Sequence, residues 1–175
     1  MKLTLIVAAD LDDCIGRGND IPWHIPSDLK RFKELTSQHA CILGSKTHDS
    51  IVRRLGKPLP NRRSYVISRT QHGTFADGRY LASPNAAVEA VRDENEPSNC
   101  EAFVIGGAQI YEALLPEVSK ILITRVHTRV DGDTFMPQSW LGGFMQTSAD
   151  GAILRDPRDE FESSYTTYER WHDHG

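Results

Sequence analysis

The stretch Ala102-Phe-Val-Ile-Gly-Gly-Ala-Gln-Ile-Tyr-Glu-Ala-Leu-Leu-Pro116 is followed, after a short gap, by Lys120-Ile-Leu-Ile-Thr-Arg-Val126. Residues 102–105 are a continuous apolar run, as suits a strand buried on both faces. Gly106-Gly107 interrupts it, and 108–115 fits a helix. Pro116 stops that helix, because it has no N–H and its ring clashes with the preceding turn. Residues 120–126 read as a further strand, with Ile121, Leu122, Ile123 and Val126 apolar. Strand, helix and strand in so short a span predict a βαβ unit and therefore a parallel sheet.

The alternation extends upstream. Residues 3–9, 40–44 and 64–68 read as short apolar strands, and 79–82 as a further one. Helices are expected over 27–37, over 46–55 and after Ser83-Pro84, which offers a Ser cap with Pro at the first helical position. Residues 10–20, with Gly16 and Gly18, are read as a long flexible loop, which in compact domains usually serves function. Downstream, 144–154 and 162–171 look like half-exposed antiparallel strands. The expected fold is α/β, with a mixed, mostly parallel central sheet flanked by helices and antiparallel C-terminal strands, in one domain spanning 1–175. Ligands in such sheets lie at the carboxyl ends of the strands. The loops after Ala9, Gly44, Ser68, Ile105 and Val126 are therefore expected around one site.

Composition narrows the function classes. With 39% hydrophobic and 25% charged residues, the chain is neither disordered nor a membrane protein. The N-terminal apolar run stops at Asp10, which favours a strand over a secretory signal. A net charge of −4 without long runs argues against nucleic acid, so an anionic ligand needs local cations. Cys14, Cys41 and Cys100 lack Cys-x-x-Cys spacing, which fits a reducing cytoplasm and neither a disulfide framework nor a zinc site. No metal is expected.

Ile21-Pro-Trp-His-Ile-Pro-Ser-Asp-Leu-Lys-Arg-Phe-Lys33 opens an amphipathic helix. Ile25, Leu29, Phe32, Leu35 and Thr36 share its apolar stripe. Asp28 falls within that stripe, where a carboxylate is costly unless paired. The plainer reading is an acid favouring the helix dipole. Gly106-Gly107 before a helix would let backbone N–H groups approach a phosphate, or make only a tight turn. Ser68-Arg69 and Gly44-Ser-Lys-Thr47 offer hydroxyls and cations after strands, or solvated surface. Pro58-Leu-Pro-Asn-Arg62 is a stiff approach ending in a guanidinium, suited to bidentate capture of a carboxylate.

Taken together, these motifs resemble dihydrofolate reductase of bacterial, single-domain type. Val7-Ala-Ala…Ile15-Gly16, Ile21-Pro-Trp23, Asp28-Leu…Phe32-Lys33, Pro58-Leu-Pro-Asn-Arg62, Val104-Ile-Gly-Gly107…Ile110-Tyr111 and Asp131-Gly-Asp-Thr134…Pro137 occur in that family's order and spacing, over nearly the whole chain.

The resemblance implies NADPH-dependent reduction of 7,8-dihydrofolate to tetrahydrofolate, with hydride delivered to C6 and a solvent proton to N5. The product would supply one-carbon metabolism, as the target of antifolates. Asp28 would hydrogen-bond the pterin's N3 and 2-amino group, supported by Trp23, Thr124 and Tyr111. Ile6 and Ile105 would present carbonyls to the pterin edge, and Ala8, Leu29, Phe32, Ile51 and Leu59 would line the slot. Arg62 would clamp the glutamate α-carboxylate, with Lys57 at the mouth. NADPH would contact Ala8, Ala9, Ile15, Gly16, Asn19 and Asp20 at the nicotinamide end. Gly44, Ser45, Lys46, Thr47, Ser68, Arg69, Gly106, Gly107, Ala108, Gln109 and Ile110 would hold the rest. The Gly106–Gly107 peptide would be cis, and Asp133 would stabilise the loop near Gly16 and Gly18. A cytoplasmic monomer with no nucleic-acid or membrane partner is expected.

The chain departs from the family in several places. His48 stands where a large aromatic is common, Ser45-Lys46 replaces a commoner basic pair, and the connector 51–58 is longer. Two alternatives remain at this point. A pteridine- or riboflavin-pathway reductase would share the NADPH half without the Trp23–Asp28 pairing. A nucleotide-binding regulatory domain would keep the Gly-Gly turn but have no use for an inward Asp28.

Overall fold

The computed structural model describes residues 1–95, 100–150 and 156–172. Its strands in chain order are β1 (Lys2–Ala9), β2 (Cys14–Gly16), β3 (Ala40–Gly44), β4 (Arg63–Ile67), β5 (Thr74–Phe75) and β6 (Gly78–Leu81). They continue with β7 (Glu101–Gly106), β8 (Lys120–Val126), β9 (Thr134–Phe135), β10 (Phe144–Ala149) and β11 (Ser163–Arg170). The helices are α1 (Pro26–Thr36), α2 (Ser45–Leu55), α3 (Pro84–Glu94) and α4 (Ala108–Leu114), the last running into a 3-10 turn at Leu115–Glu117.

The central sheet has the order β10-β11-β8-β1-β7-β3-β4-β6-β5, and β2 pairs with β9 apart from it. Neighbours from β8 through β6 are all parallel. Their carboxyl ends therefore share one edge of the sheet. Strands β10 and β11 are antiparallel and close one side, and β5 does the same on the other.

Pleating sorts the core residues onto two faces. Leu3, Leu5 and Val7 of β1 join Val104, Ile121 and Ile123 beneath Val88, Val91 and Leu114 of α3 and α4. Ile6, Phe103 and Leu122 point the other way, towards Phe32 and Leu35 of α1. Thr124, two residues beyond Leu122 on the same strand, faces the α1 side.

Several boundaries differ from the sequence reading. Helix α1 starts at Pro26, whose fixed φ suits the first helical position. Pro116 lies within the 3-10 turn that extends α4 rather than after a clean stop. The two-residue β5 has too short a pattern to read. The strand expected over 144–154 ends at Ala149 as far as it is described, and 151–154 lie outside the described residues.

The largest correction concerns residues 10–20, read as a flexible loop. They carry β2, which pairs with β9 through Cys14↔Phe135 and Gly16↔Thr134. Asp10 is fully buried, and its carboxylate accepts from the N–H groups of Asp12, Cys14 and Val130. A buried carboxylate satisfied by three backbone donors ties the loop base to the sheet.

Candidate active site

The sheet opens at its centre. The β1·β7 ladder ends at Leu5↔Val104, whereas β1·β8 continues to Ala9↔Arg125. From Ile6 onward, β1 therefore has a free edge towards β7. The Ile6 carbonyl accepts from the Tyr111 hydroxyl at 2.8 Å. Gly106 has φ 125°, a region side chains avoid, and a Cβ there would sit 3.4 Å from that hydroxyl. Burial pushes the Tyr111 phenol far up, so it remains a donor. Ile105, half-buried, lies with Phe32 and Leu35 at the same opening.

Helix α1 brings Asp28 to this opening. Thr124 Oγ1 donates to Asp28 Oδ1 at 2.5 Å. Asp28 is half-buried, and burial raises its pKa above the usual carboxylate value, against the opposing Thr124 hydrogen bond and the charge of Arg31. Trp23 is buried with Ile25 and Val126, beside half-buried Ala8. Leu29, placed on the apolar stripe, is 44% exposed. The stripe thus serves the core at Thr36 and an open slot at Leu29.

Arg62 closes the far end of α1. It is only 7% exposed, and its Nε donates to the Pro60 carbonyl at 2.9 Å. Its Nη1 donates to Thr36 Oγ1 at 3.1 Å, and the guanidinium lies 5.8 Å from the Phe32 ring centre. Burial lowers its pKa, but a guanidinium stays charged at any physiological pH. Leu59 is buried and Ile51 half-buried, while Lys57 is exposed.

The N-termini of α2 and α4 meet on the other side of the opening. A Cβ on Gly44 would lie 3.2 Å from Ile110 Cγ1, and one on Gly107 would lie 3.4 Å from Thr47 Oγ1. Neither helix has a side-chain cap or an acid in its first turn. The Gly106–Gly107 peptide is cis. Ser45 and Thr47 are half-buried and Lys46 is exposed, as are Gln109 and Arg69; Ala108 is half-buried. Ser68 Oγ is committed to its own turn, accepting from Thr70 N–H at 3.3 Å and Gln71 N–H at 3.0 Å. Two helix starts without side-chain caps, the close approach at Gly44 and the exposed Lys46 could hold phosphate oxygens.

A strap crosses between the two halves. Gly18 N–H donates to Asp133 Oδ2 at 2.9 Å, and Asp133 N–H donates to the Gly16 carbonyl at 3.0 Å. The Gly18 N–H, then the Thr134 hydroxyl, hold the Asp133 carboxyl below its ordinary value. Ile15 is half-buried and Gly16 buried; Asn19 has φ 59°, and Asp20 pairs with Arg54 of α2. Asp20 therefore has a protein partner that the sequence reading had not given it.

That reading also missed the anchor beneath the strap. Arg125 Nη1 donates to the Asp10 carbonyl at 2.7 Å and to Asp13 Oδ1 at 2.8 Å, and Trp140 Nε1 donates to Asp13 Oδ2 at 3.2 Å. Arg125 and Asp13 are 112 positions apart, and no local pattern links them. An Arg amid the apolar run of β8 was the available signal. His48, flagged as a departure, is buried with its ring 5.3 Å from Phe75 and 6.3 Å from Tyr80, and burial lowers its pKa.

Comparison with known proteins gives concordant matches. The family model described as dihydrofolate reductase matches residues 2–170. The dihydrofolate reductase of Staphylococcus haemolyticus is 36% identical over 170 residues, covering 97% of this chain and 96% of its own length. That of Haemophilus influenzae is 39% identical over 138 residues, covering 79% and 80% respectively. Among solved structures, dihydrofolate reductase from Enterococcus faecalis complexed with NADP(H) and RAB-propyl superposes with a TM-score of 0.83 at 25% identity. That match covers 98% of this chain and 97% of the other.

Proposed function

The chain belongs to the dihydrofolate reductase family, and we propose that the opening between β1 and β7 is the site of its reaction. It reduces 7,8-dihydrofolate to 5,6,7,8-tetrahydrofolate with NADPH. The observation that carries the site reading is the Asp28–Thr124 pair, a carboxylate held at an open, largely apolar slot.

The residues present fit the cofactor. Lys46, Thr47 and the first turn of α4 would hold its phosphates, with Ser68 and Arg69 at the adenosine end. Ala8, Ala9, Ile15 and Gly16 would flank the nicotinamide end, with Asn19 and Asp20 on the strap above. NADPH, when bound, supplies the hydride for C6. The protein supplies orientation and electrostatics.

Thr124 occupies one lone-pair site of Asp28 and leaves Oδ2 to accept from the pterin N3 and 2-amino donors. With Asp28 engaged at N3 and the 2-amino group, the N5 proton would come from water. Ile6 and Ile105 would present carbonyls to the pterin edge, and Tyr111 fixes the first of these. Leu29, Phe32, Ile51 and Leu59 would exclude water from the slot. Arg62 would take the glutamate α-carboxylate, with Lys57 adding charge at the mouth. We read the chain as one domain, a monomer working in the cytoplasm on a small-molecule substrate. Among the described residues, no helix is long and apolar enough to cross a membrane.

The direct test is to mix the protein with NADPH and dihydrofolate and follow cofactor absorbance. Absence of dihydrofolate-dependent oxidation rejects the reading. Two variants test its parts. Lys46→Met should raise the Kd for NADPH about tenfold, the loss of one partly screened charge-assisted contact, and should flatten its salt dependence. An unchanged Kd in fluorescence titration would move the phosphates elsewhere. Asp133→Ala removes the acceptor for Gly18 N–H. Turnover should fall about tenfold, short of the ~10²-fold cost of a 1 Å misplacement at the chemistry. Full turnover in that variant would show that the strap stays in place without Asp133.

A further inference from the structure

Resting on the assignment of Asp28 to the pterin pocket, we infer that Asp159 is a positioning residue for Asp28. It acts by holding the first turn of α1 from the opposite end of the chain.

The start of α1 lacks its own cap. The N-cap residue is Ile25, whose side chain has no acceptor, and the acid in the first turn is Asp28 itself. Asp28 is turned towards Thr124, so the exposed N–H groups of the turn need another partner. Asp159, 132 positions from Ser27 and 5% exposed, supplies it. Its Oδ1 accepts from Ser27 N–H at 3.1 Å, and its Oδ2 accepts from Ser27 Oγ at 2.5 Å. The same carboxylate is fixed by Asp156 N–H at 3.1 Å. Beside it, Glu160 N–H donates to the His24 carbonyl at 2.9 Å. The segment entering β11 thus grips the chain on either side of Pro26, and the residue it grips hardest adjoins Asp28.

Charges of both signs lie near Asp28. Arg31, on its own helix, lies 3.6 Å over the Tyr165 ring, and Tyr165 stands opposite Thr124 in the β11·β8 register. Asp159 adjoins Asp156, which is paired to Arg158. Arg31 favours ionised Asp28, and Asp159 opposes it. Among the described residues, Tyr165 also faces the pair, and its phenol is raised, chiefly by burial. Asp159 therefore holds the turn that carries Asp28 and adds a negative charge near it.

The test compares Asp159→Ala with Asp159→Asn. Asparagine keeps an acceptor for Ser27 N–H but carries no charge. Asp159→Ala should lower kcat/KM for dihydrofolate about tenfold by letting the first turn drift, with NADPH affinity unchanged. Asp159→Asn should recover most of that loss. In Asp159→Asn, the Asp28 carboxyl titration, followed by 13C NMR, should move to lower pH, because an opposing negative charge is gone. The inference fails if Asp159→Ala loses thermal stability while kcat/KM and the Asp28 titration stay at wild-type values. It fails also if NADPH affinity drops in parallel, the mark of general unfolding. Should Asp159→Ala not fold, Asp159→Glu, which keeps the charge but shifts the acceptor, decides alone: a lowered kcat/KM with unchanged NADPH affinity supports the role, and a wild-type kcat/KM rejects it. An unsubstituted protein with no dihydrofolate-dependent oxidation would instead reject the proposed function.

Discussion

Asp28→Asn is expected to lower turnover at pH 7 by ~100-fold or more, the scale of a positioned acid–base group. Asparagine still accepts from Thr124, so the geometry of the pair survives. What disappears is the negative charge that would bind the pterin N3 and 2-amino donors and draw protonation to N5. The loss should shrink as the pH falls, because solvent then protonates N5 without help. Steady-state rates across pH decide it. An equal loss at every pH would mean that Asp28 only positions the substrate.

The same substitution should not destabilise the fold at neutral pH. Burial raises the folded-state pKa of Asp28, with Thr124 and Arg31 offsetting part of the effect. Protonated Asp28 therefore contributes stability fully below its unfolded value of about 4. That contribution is lost as pH rises through the higher folded value. Above that window the ionised carboxylate is a burden that asparagine lacks. Tm of Asp28→Asn at neutral pH should equal or exceed that of the wild type, and the difference should close on acidification. A lower Tm would mark Asp28 as an anchor of α1 and undercut the catalytic reading of the rate loss. A group that harms stability where the protein works is the expected signature of a functional one.

The residues differ in how far the sequence exposed them, and the reasons are physical. The parallel sheet was legible because strands buried on both faces must be largely apolar, as in 3–9. Asp28 was legible because a helix has a period, and an acid on the wrong side of it stands out. Leu29 follows that period too, yet it is exposed, because the stripe does not tell which of its positions the core covers. The strap over 10–20 was not legible. Its order comes from Asp10, Asp13, Arg125, Asp133 and Trp140, which the sheet brings together from distant positions. Asp159 was hidden for the same reason, since capping is a local signal only when the cap is local. Helix α2 runs to Leu55, so that Arg54 meets Asp20; this pairing too depends on the folded path.

The second large effect should come from Arg62→Leu, which is expected to raise KM for dihydrofolate by ~100-fold and leave kcat nearly unchanged. Arg62 is buried to 7% exposure, and among the described residues its hydrogen bonds use Nε and Nη1, to Pro60 and Thr36. Nη2 remains for a ligand carboxylate, and a charge-assisted bond at a desolvated site contributes about 1.5–3 kcal/mol, or roughly ten- to a hundredfold in affinity. Because the glutamate end takes no part in the hydride step, that contact is the same in ground and transition states. Removing it should act on KM alone. The substitution also leaves the Pro60 carbonyl without its donor, at a cost of about 1 kcal/mol in stability. Thr36 keeps its own bond to the Phe32 carbonyl at 2.7 Å, so α1 should stay intact. The discriminating comparison is a dihydropterin substrate that lacks the glutamate. Wild type and Arg62→Leu should bind it equally, whereas equal losses on both substrates would make Arg62 a structural support of α1 and not a clamp.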